Sequence, residues 1–100
     1  MLHKDVLFSG TTSSGVYSQN TDNLVSCLCK LILISAATAT TTFNFKIIDS
    51  GNRVIYYKEG ITGTLRDYNV ELPLMDINTI RIETASVDAA FTGKITVQEV

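Results

Sequence analysis

Apolar and polar side chains alternate with a period of two along several short runs of this chain. The clearest runs cover residues 40–48, 53–59, 77–83 and 92–100, and β-branched residues are common in all of them. Alternation with this period places one set of side chains in a core and the other in solvent, as in a half-buried β-strand. No stretch of useful length shows the 3.6-residue period of a helix, and no internal repeat is found. The pattern predicts an all-β domain.

Shorter alternating runs predict the remaining strands, and turn-forming residues predict where the strands end. We expect strands at residues 6–8, 24–34, 38–49, 53–59, 77–84 and 91–100, and at most a brief pairing at residues 16–18. Pro73 cannot donate to a ladder, so it predicts a sheet edge or corner. Gly51 lies between polar residues and predicts a tight hairpin with a positive φ at the glycine. Six to eight strands in one domain, with few glycines for the kinks of a tight barrel, favour a two-sheet antiparallel β-sandwich of jelly-roll or Ig-like type.

The alternation also predicts which side chains fill the core between the two sheets. In residues 24–34 the odd positions form an unbroken apolar face, which we assign to the core. Nine side chains are expected to be largely buried: Val25, Leu31, Phe43, Phe45, Ile80, Ile82, Phe91, Ile95 and Val97.

The second face of residues 24–34 is unusually apolar for a sheet surface in solvent. Leu24, Leu28, Ile32 and Ile34 lie on it together with polar Ser26 and Lys30. One explanation is that another chain or the N-terminal segment covers this face. The other is a β-bulge that switches the inward face partway along the strand. From the sequence both explanations stay open.

The whole chain, residues 1–100, is predicted to be a single domain with residues 9–23 as an irregular N-terminal arm or loop. This segment is too rich in small polar residues to build core. We expect an assembly held through the arm and the apolar face of residues 24–34. The interface candidates are Val16, Tyr17, Leu28, Ile32, Ile34 and Tyr57.

Composition narrows the possible partners. The chain has 100 residues, 45% of them hydrophobic, and a net charge of −2 without any run of like charges. Nucleic-acid binding is not expected, because a phosphate backbone requires clustered Lys and Arg. Membrane binding is not expected either, since the longest apolar stretch is about half a membrane span and contains Lys30. The first residues do not have the pattern of a signal peptide.

Candidate chemistry is sparse. His3 is the single histidine and has no nearby nucleophile in the sequence, so we expect no catalytic triad and no enzyme activity. Cys27 and Cys29 are two residues apart on an apolar face, and we interpret them as buried free thiols without a metal. The acidic residues of loops and strand ends lack calcium-loop spacing and are interpreted as turn residues. They are Asp49, Asp67, Asp76 and Asp88. No cofactor is predicted.

Tyrosines are the candidates for recognition. Tyr56 and Tyr57 are adjacent, so one should point inward and the other outward, while Tyr17 and Tyr68 fall in segments predicted to be irregular. An outward tyrosine can stack on a sugar or contact a protein. The chain has no Trp, which counts against a carbohydrate-binding module.

Two segments are the most typical of a known class of proteins. They are TATTTFNFKIID at residues 38–49 and FTGKITVQEV at residues 91–100. With their Thr-rich strands and no catalytic motif, they resemble small β-sandwich proteins of tailed-phage virions, of which capsid decoration or cement proteins are the nearest type. The resemblance implies a homo-oligomeric protein made in the host cytoplasm that binds the major capsid protein, or another virion protein, on the outer surface of the capsid. The alternatives are a head-fibre, tail or adhesion module of a virion, or a carbohydrate-binding β-sandwich module.

Overall fold

The computed structural model describes residues 3–85 and 88–99, and in these residues the chain forms nine β-strands. Val100, which was expected in the last strand, and Ser86 and Val87, which were expected between the last two strands, lie outside the described residues. The strands are β1 (His3–Thr11), β2 (Val16–Asn20), β3 (Leu24–Ala36), β4 (Thr42–Ile48), β5 (Val54–Thr62), β6 (Thr64–Asp67), β7 (Leu72–Asp76), β8 (Thr79–Glu83) and β9 (Ala90–Glu99).

The strands form two antiparallel sheets that face each other as a sandwich, which confirms the predicted fold class. The first sheet has the order β1-β9-β3-β6, and β7 pairs with β3 beyond the end of β6. The second sheet has the order β2-β8-β4-β5. Because β6 and β7 share one side of β3, Pro73 lies in an edge strand, opposite Leu28. This position agrees with the missing backbone donor of proline.

Aromatic side chains fill the centre of the sandwich. Phe45 is fully buried, and its ring stacks 6.4 Å from that of Phe8 and meets the ring of Tyr56 edge-on at 5.9 Å. Phe43 and Phe91 form a second edge-on pair at 5.0 Å across the two sheets. Of the nine predicted core residues seven are buried, namely Phe43, Phe45, Ile80, Ile82, Phe91, Ile95 and Val97. Val25 and Leu31 are not.

Several boundaries differ from those predicted. Residues 9–23 are not an irregular arm, because Ser9 continues β1 and most of the segment forms the β1–β2 connection and β2. A strand was predicted from residue 38, but residues 38–41 form a turn that closes with a hydrogen bond from the Thr41 amide to the Thr38 carbonyl. Ile77 precedes β8 and does not belong to it. The short strand β6 was not predicted at all.

The β4–β5 hairpin is held by Asp49. Its carboxylate accepts hydrogen bonds from the backbone amides of Gly51 and Arg53, both at 2.9 Å, and from the Arg53 guanidinium at 3.1 Å. The positive φ of this turn, 63°, is at Asn52 and not at Gly51 as predicted. Asparagine tolerates this conformation because its short polar side chain bonds locally.

Candidate interaction surface

Strand β3 changes its inward face twice. Its pairing with β7 shifts between Leu24 and Cys27, and its pairing with β9 shifts between Cys29 and Leu31. At the second shift Lys30 is the extra residue, and its ammonium reaches Glu71 at 3.1 Å. Each extra residue in a bulge reverses the alternation that follows it. The bulge, left open as one explanation of the apolar second face, is therefore present.

The two shifts correct the assignments of six side chains of β3. Two of them are Leu33, which was assigned to the core but is half-buried and faces outward, and Leu24, which was placed on the second face but is buried. Val25 was expected in the core but is 75% exposed, and Leu31 is only half-buried. Ile32 and Ile34 were interface candidates, yet both are fully buried and belong to the core. They are therefore excluded as surface residues, and the register shift at Lys30 is the physical reason.

A row of leucines nevertheless remains on the outer side of the first sheet. Leu28, Leu31 and Leu33 of β3 are half-buried and face away from the second sheet. Leu7 of β1 lies in the same row as Leu33, because both pair with Lys94 of β9, and it is 68% exposed. Pro73, opposite Leu28, extends the patch onto β7. We call these five residues the leucine face.

Polar groups lie both within and beside the leucine face. The outward side chains Lys94 and Thr96 of β9 separate Leu7 from the leucines of β3. On β1, the carboxylate of Asp5 accepts a 2.7 Å hydrogen bond from the Thr96 hydroxyl and lies 3.7 Å from the Lys94 ammonium. On β6, exposed Arg66 pairs with Leu33 in the ladder. Within residues 3–85 and 88–99, Arg66 is the one cationic side chain with neither a carboxylate within ion-pair distance nor an aromatic ring beneath it.

The candidates Val16 and Tyr17 lie in β2, on the opposite sheet. Tyr17 packs against the core, and its hydroxyl donates to the Ser9 carbonyl at 3.1 Å, while the Gln19 amide donates to the Leu7 carbonyl at 3.2 Å. Both acceptors are backbone groups on the free edge of β1, so β2 closes this edge with its side chains. Tyr17 is thus used within the fold, and burial raises the pKa of its hydroxyl.

Tyr57 points outward from β5, and Tyr56 points toward the core, as the alternation predicted. The Tyr57 ring is 45% exposed, its hydroxyl donates to the Glu59 carboxylate at 3.0 Å, and the Lys46 ammonium lies 5.4 Å from the ring centroid. The hydrogen bond to Glu59, together with burial, raises the pKa of Tyr57. The Tyr56 hydroxyl donates to Asp67 across the sandwich at 2.8 Å, and burial first, then this bond, raises its pKa.

Charges on the outer face of the second sheet satisfy one another. The Glu83 carboxylate lies 3.2 Å from the Lys46 ammonium and accepts a 2.8 Å hydrogen bond from the Arg81 guanidinium. Burial raises the pKa of Glu83, but the hydrogen bonds and charges of its two cationic neighbours outweigh burial and hold it below the ordinary value. The interface candidates therefore divide between two faces, with Leu28 on one and Val16 and Tyr57 on the other.

The two cysteines are buried free thiols, as predicted. Burial raises the pKa of Cys29 to about 11, so this thiol is protonated at neutral pH. The Cys27 thiol donates to the Val25 carbonyl at 2.6 Å. Across the described ranges, no three His, Cys, Asp or Glu side chains converge where they could hold a metal ion.

An open hollow of about 430 Å³ lies at one end of the sandwich, and His3, Cys27 and Glu99 line it together. Within the described part of the chain no hydrogen bond or ion pair joins these three side chains, and His3 is exposed. The arrangement lacks the linked nucleophile and base that a triad requires.

The acidic residues of loops and strand ends bind groups of the chain itself. The Asp49 carboxylate accepts from backbone amides of its turn, the Asp67 carboxylate accepts from the Tyr56 hydroxyl, and the Asp88 carboxylate accepts from the Ser14 amide at 3.2 Å. No helix in the described residues is long and apolar enough to cross a membrane.

Comparison with known proteins gives the fold but no family. No protein-family model matches the sequence, and no curated protein matches it either. The Yersinia pseudotuberculosis-derived mitogen is similar in structure, with a TM-score of 0.64 over 99% of this chain and 90% of that chain, at 12% identity. A chain of infectious bursal disease virus, Gx strain, matches with a TM-score of 0.42 at 12% identity, over 96% of this chain and 30% of that chain. The first similarity shows a shared β-sandwich fold, and the second carries no argument.

Proposed function

We propose that this protein is a non-enzymatic structural protein of a virus particle, where it binds the outer capsid surface as a decoration or cement protein through protein–protein contacts. The leucine face is the observation that carries the proposal. Leu7 is 68% exposed, and Met75, on β7 next to Pro73, is 58% exposed. Leu28 and Pro73 are direct neighbours on β3 and β7, so the apolar side chains of these two strands form one patch. Exposed apolar surface of this kind marks an interaction site. The resemblance of the Thr-rich strands to virion proteins supports the same role.

The experiment asks whether the protein is part of purified particles. Particles from a lysate of cells producing the virus that encodes this chain are banded on a density gradient and probed with an antibody raised against the purified protein. We expect the protein in the particle band at many copies per particle, with antibody labelling spread over the capsid in electron micrographs. Labelling confined to the tail would support the head-fibre, tail or adhesion alternative. Absence from the band would contradict every virion role.

Two variants connect this result to the leucine face. Leu31→Lys places a charge at the centre of the face, and Thr42→Lys places the same charge on the outer face of the second sheet. Both positions point to solvent, so both variants should fold, which circular dichroism and thermal unfolding check. Binding to particles that lack the protein should fall at least about tenfold for Leu31→Lys and stay within about twofold for Thr42→Lys. Equal binding by the two variants would show that the leucine face has no role.

Tyr57 favours one second candidate, binding of a saccharide on the face of the second sheet. Its exposed ring is held by Glu59 and Lys46 and offers a stacking surface for a pyranose. Arg81 lies on the same rung as Tyr57, since both pair with Lys46, and Glu83 lies on the next outward rung, opposite Asn44, as a further hydrogen-bonding group. An array of neutral and acidic oligosaccharides tests this function with the isolated protein. Binding that is lost in Tyr57→Ala and kept in Tyr57→Phe would support it. Absence of binding to every oligosaccharide on the array would exclude it.

A further inference from the structure

We propose that Arg66 is a specificity-determining residue of the first sheet, and that its guanidinium binds the carboxylate of an acidic residue on the partner protein of the particle. The inference rests on the proposed function, because it names the chemistry of the partner for the same surface. Two observations lead to it. They are the missing ionic partner of Arg66 and its position in the ladder directly beside Leu33.

Arg66 differs from every other cationic side chain in residues 3–85 and 88–99. Six of the others lie within ion-pair distance of a carboxylate, and the Lys58 ammonium lies 5.9 Å from the centroid of the Tyr56 ring. Arg66 has neither contact and is exposed. The next residue, Asp67, alternates to the inner side, where its carboxylate accepts from the Tyr56 hydroxyl at 2.8 Å. The described chain therefore gives Arg66 no carboxylate to bind.

The ladder places Arg66 directly beside Leu33 of the leucine face. The two residues are paired between β3 and β6, and both point to the outer side of the first sheet. Residues paired in this way have Cβ atoms about 5 Å apart. A protein surface that covers Leu33 therefore also removes water from the Arg66 side chain. An arginine in solvent needs no partner, but a guanidinium that loses water without gaining a hydrogen-bonding anion opposes binding strongly.

Lys94 borders Leu33 on the other side and does not make the same demand. It pairs with Leu33 in the β3–β9 ladder, and its ammonium lies 3.7 Å from the Asp5 carboxylate. Its charge is thus compensated within the chain when a partner covers the surface. Contact at Leu33 consequently requires one new anionic group, and it is required on the β6 side.

A single free cation favours a protein carboxylate over a polyanion. A nucleic-acid backbone or an anionic membrane is bound by several clustered Lys and Arg side chains. Arg66 is the one cation without a partner in the described part of the chain, and the whole chain has a net charge of −2. The planar guanidinium matches the two oxygens of a carboxylate with two parallel hydrogen bonds. The occupant is therefore a protein surface on which an acidic residue adjoins an apolar one.

Binding of Arg66 variants to particles that lack the protein tests the inference. Arg66→Gln removes the charge and should weaken binding at least about tenfold. Arg66→Lys keeps the charge but loses the parallel hydrogen bonds, so its affinity should lie between those of Arg66→Gln and the wild type. Lys58→Gln, the same neutralisation on β5 of the second sheet, is the matched control and should stay within about twofold. Circular dichroism and thermal unfolding check that every variant folds.

Amidation of the particles identifies the anionic group. Treatment with a carbodiimide and methylamine converts accessible carboxylates of the particle into neutral amides. Binding of the wild type should then fall to about the level of Arg66→Gln. Binding of Arg66→Gln itself should change by no more than about threefold, because this variant no longer uses the carboxylate.

The outcomes separate the inference from the proposed function. Particle binding by the wild type and equal binding by Arg66→Gln would overturn the inference and keep the function. A loss in Arg66→Gln without any effect of amidation would overturn the carboxylate. A wild-type oligomer in light scattering that Arg66→Glu dissociates would place the carboxylate on a second copy of this chain and overturn the particle protein as the partner. Absence of wild-type binding to the particles would overturn both proposals.

Discussion

Replacement of Phe45 by Ala should be among the most damaging single changes in this protein. Phe45 is fully buried in β4, at the centre of the sandwich. Its ring touches Phe8 of the first sheet and Tyr56 of the neighbouring strand, at centroid distances of 6.4 and 5.9 Å. Truncation to Ala opens a cavity between the two sheets that backbone movement can fill only in part, since both sheets are held by their ladders.

The expected cost follows from burial and from the ring pairs. Phe→Ala substitutions in cores cost about 3–5 kcal/mol, and the two aromatic pairs place Phe45 in the upper part of this range. A domain of this size has a total stability of about 5–15 kcal/mol. The variant should therefore lose a third or more of its stability, and its melting temperature should fall by at least about 15 °C.

Urea unfolding followed by circular dichroism measures the loss. Phe45→Leu, which keeps most of the volume, should cost no more than about 2 kcal/mol and covers the case in which Phe45→Ala does not fold. Tyr68→Ala is the matched surface control, because Tyr68 is 56% exposed, and it should stay within about 0.5 kcal/mol of the wild type. A loss below about 2 kcal/mol in Phe45→Ala would refute the packing described for the core.

The remaining predictions concern β3, the thiols and acid stability. Ile32→Ala should cost about 2–5 kcal/mol and Val25→Ala no more than about 0.5 kcal/mol in urea unfolding, because the register shifts bury the first residue and expose the second. Similar costs would contradict the bulges. Cys29, with a pKa raised by burial to about 11, and buried Cys27 should react with a disulfide reagent at about pH 8 only after unfolding, and rapid labelling of the native protein would contradict this. Glu83 has a folded pKa below its ordinary value of 4.5, so its ion pairs contribute stability that is present above that pH and lost as the pH falls through the folded pKa. Glu83→Gln should therefore lose less stability than the wild type between about pH 6 and pH 3, as measured by the urea midpoint, and an equal loss would mean that the ion pairs contribute nothing.

The fold class could be predicted because alternation is a local signal. In β4, Phe43, Phe45 and Ile47 point inward and their neighbours outward without interruption, so the predicted alternation holds for residues 42–48 although the predicted start of the strand at residue 38 was wrong. The signal fails in β3, where the run of apolar residues is continuous and two faces look equally suitable for the core. Only pairing with β7 and β9 shows which residue is the extra one, and Lys30, a charge within an apolar run, was the available hint.

The short strand β6 could not be predicted for a related reason. It has four residues and follows Gly63, whose φ of 78° turns the chain from the second sheet to the first. Four residues are too few for a period to be measured, and the strand exists because β3 offers Ile34 and its neighbours as partners. A strand that forms because a neighbouring strand offers unpaired backbone groups shows little alternation in its own sequence.

The leucine face was even less accessible to sequence reasoning, because it joins residues from three strands, β1, β3 and β7. Leu7, Leu33 and Arg66 are far apart along the chain and become neighbours only through the ladders β1–β9, β9–β3 and β3–β6. The prediction that residues 24–34 have an apolar outer face was nevertheless correct in kind. Leu28 belongs to that face as expected, whereas Leu31 and Leu33 take the places assigned to Ile32 and Ile34.

The two outer faces of the sandwich differ in how far their side chains already have partners within the chain. On the second sheet Glu83 already has two cations and the Tyr57 hydroxyl already has a carboxylate, so a partner would have to replace contacts that exist. On the first sheet the leucines contact solvent and Arg66 lacks an ionic partner in the described residues, so a partner adds contacts that the single chain does not have. Binding free energy comes from such a difference between the free and bound states. Stable association is therefore expected at the first sheet, and the second sheet is the face that remains for weaker, more polar contacts.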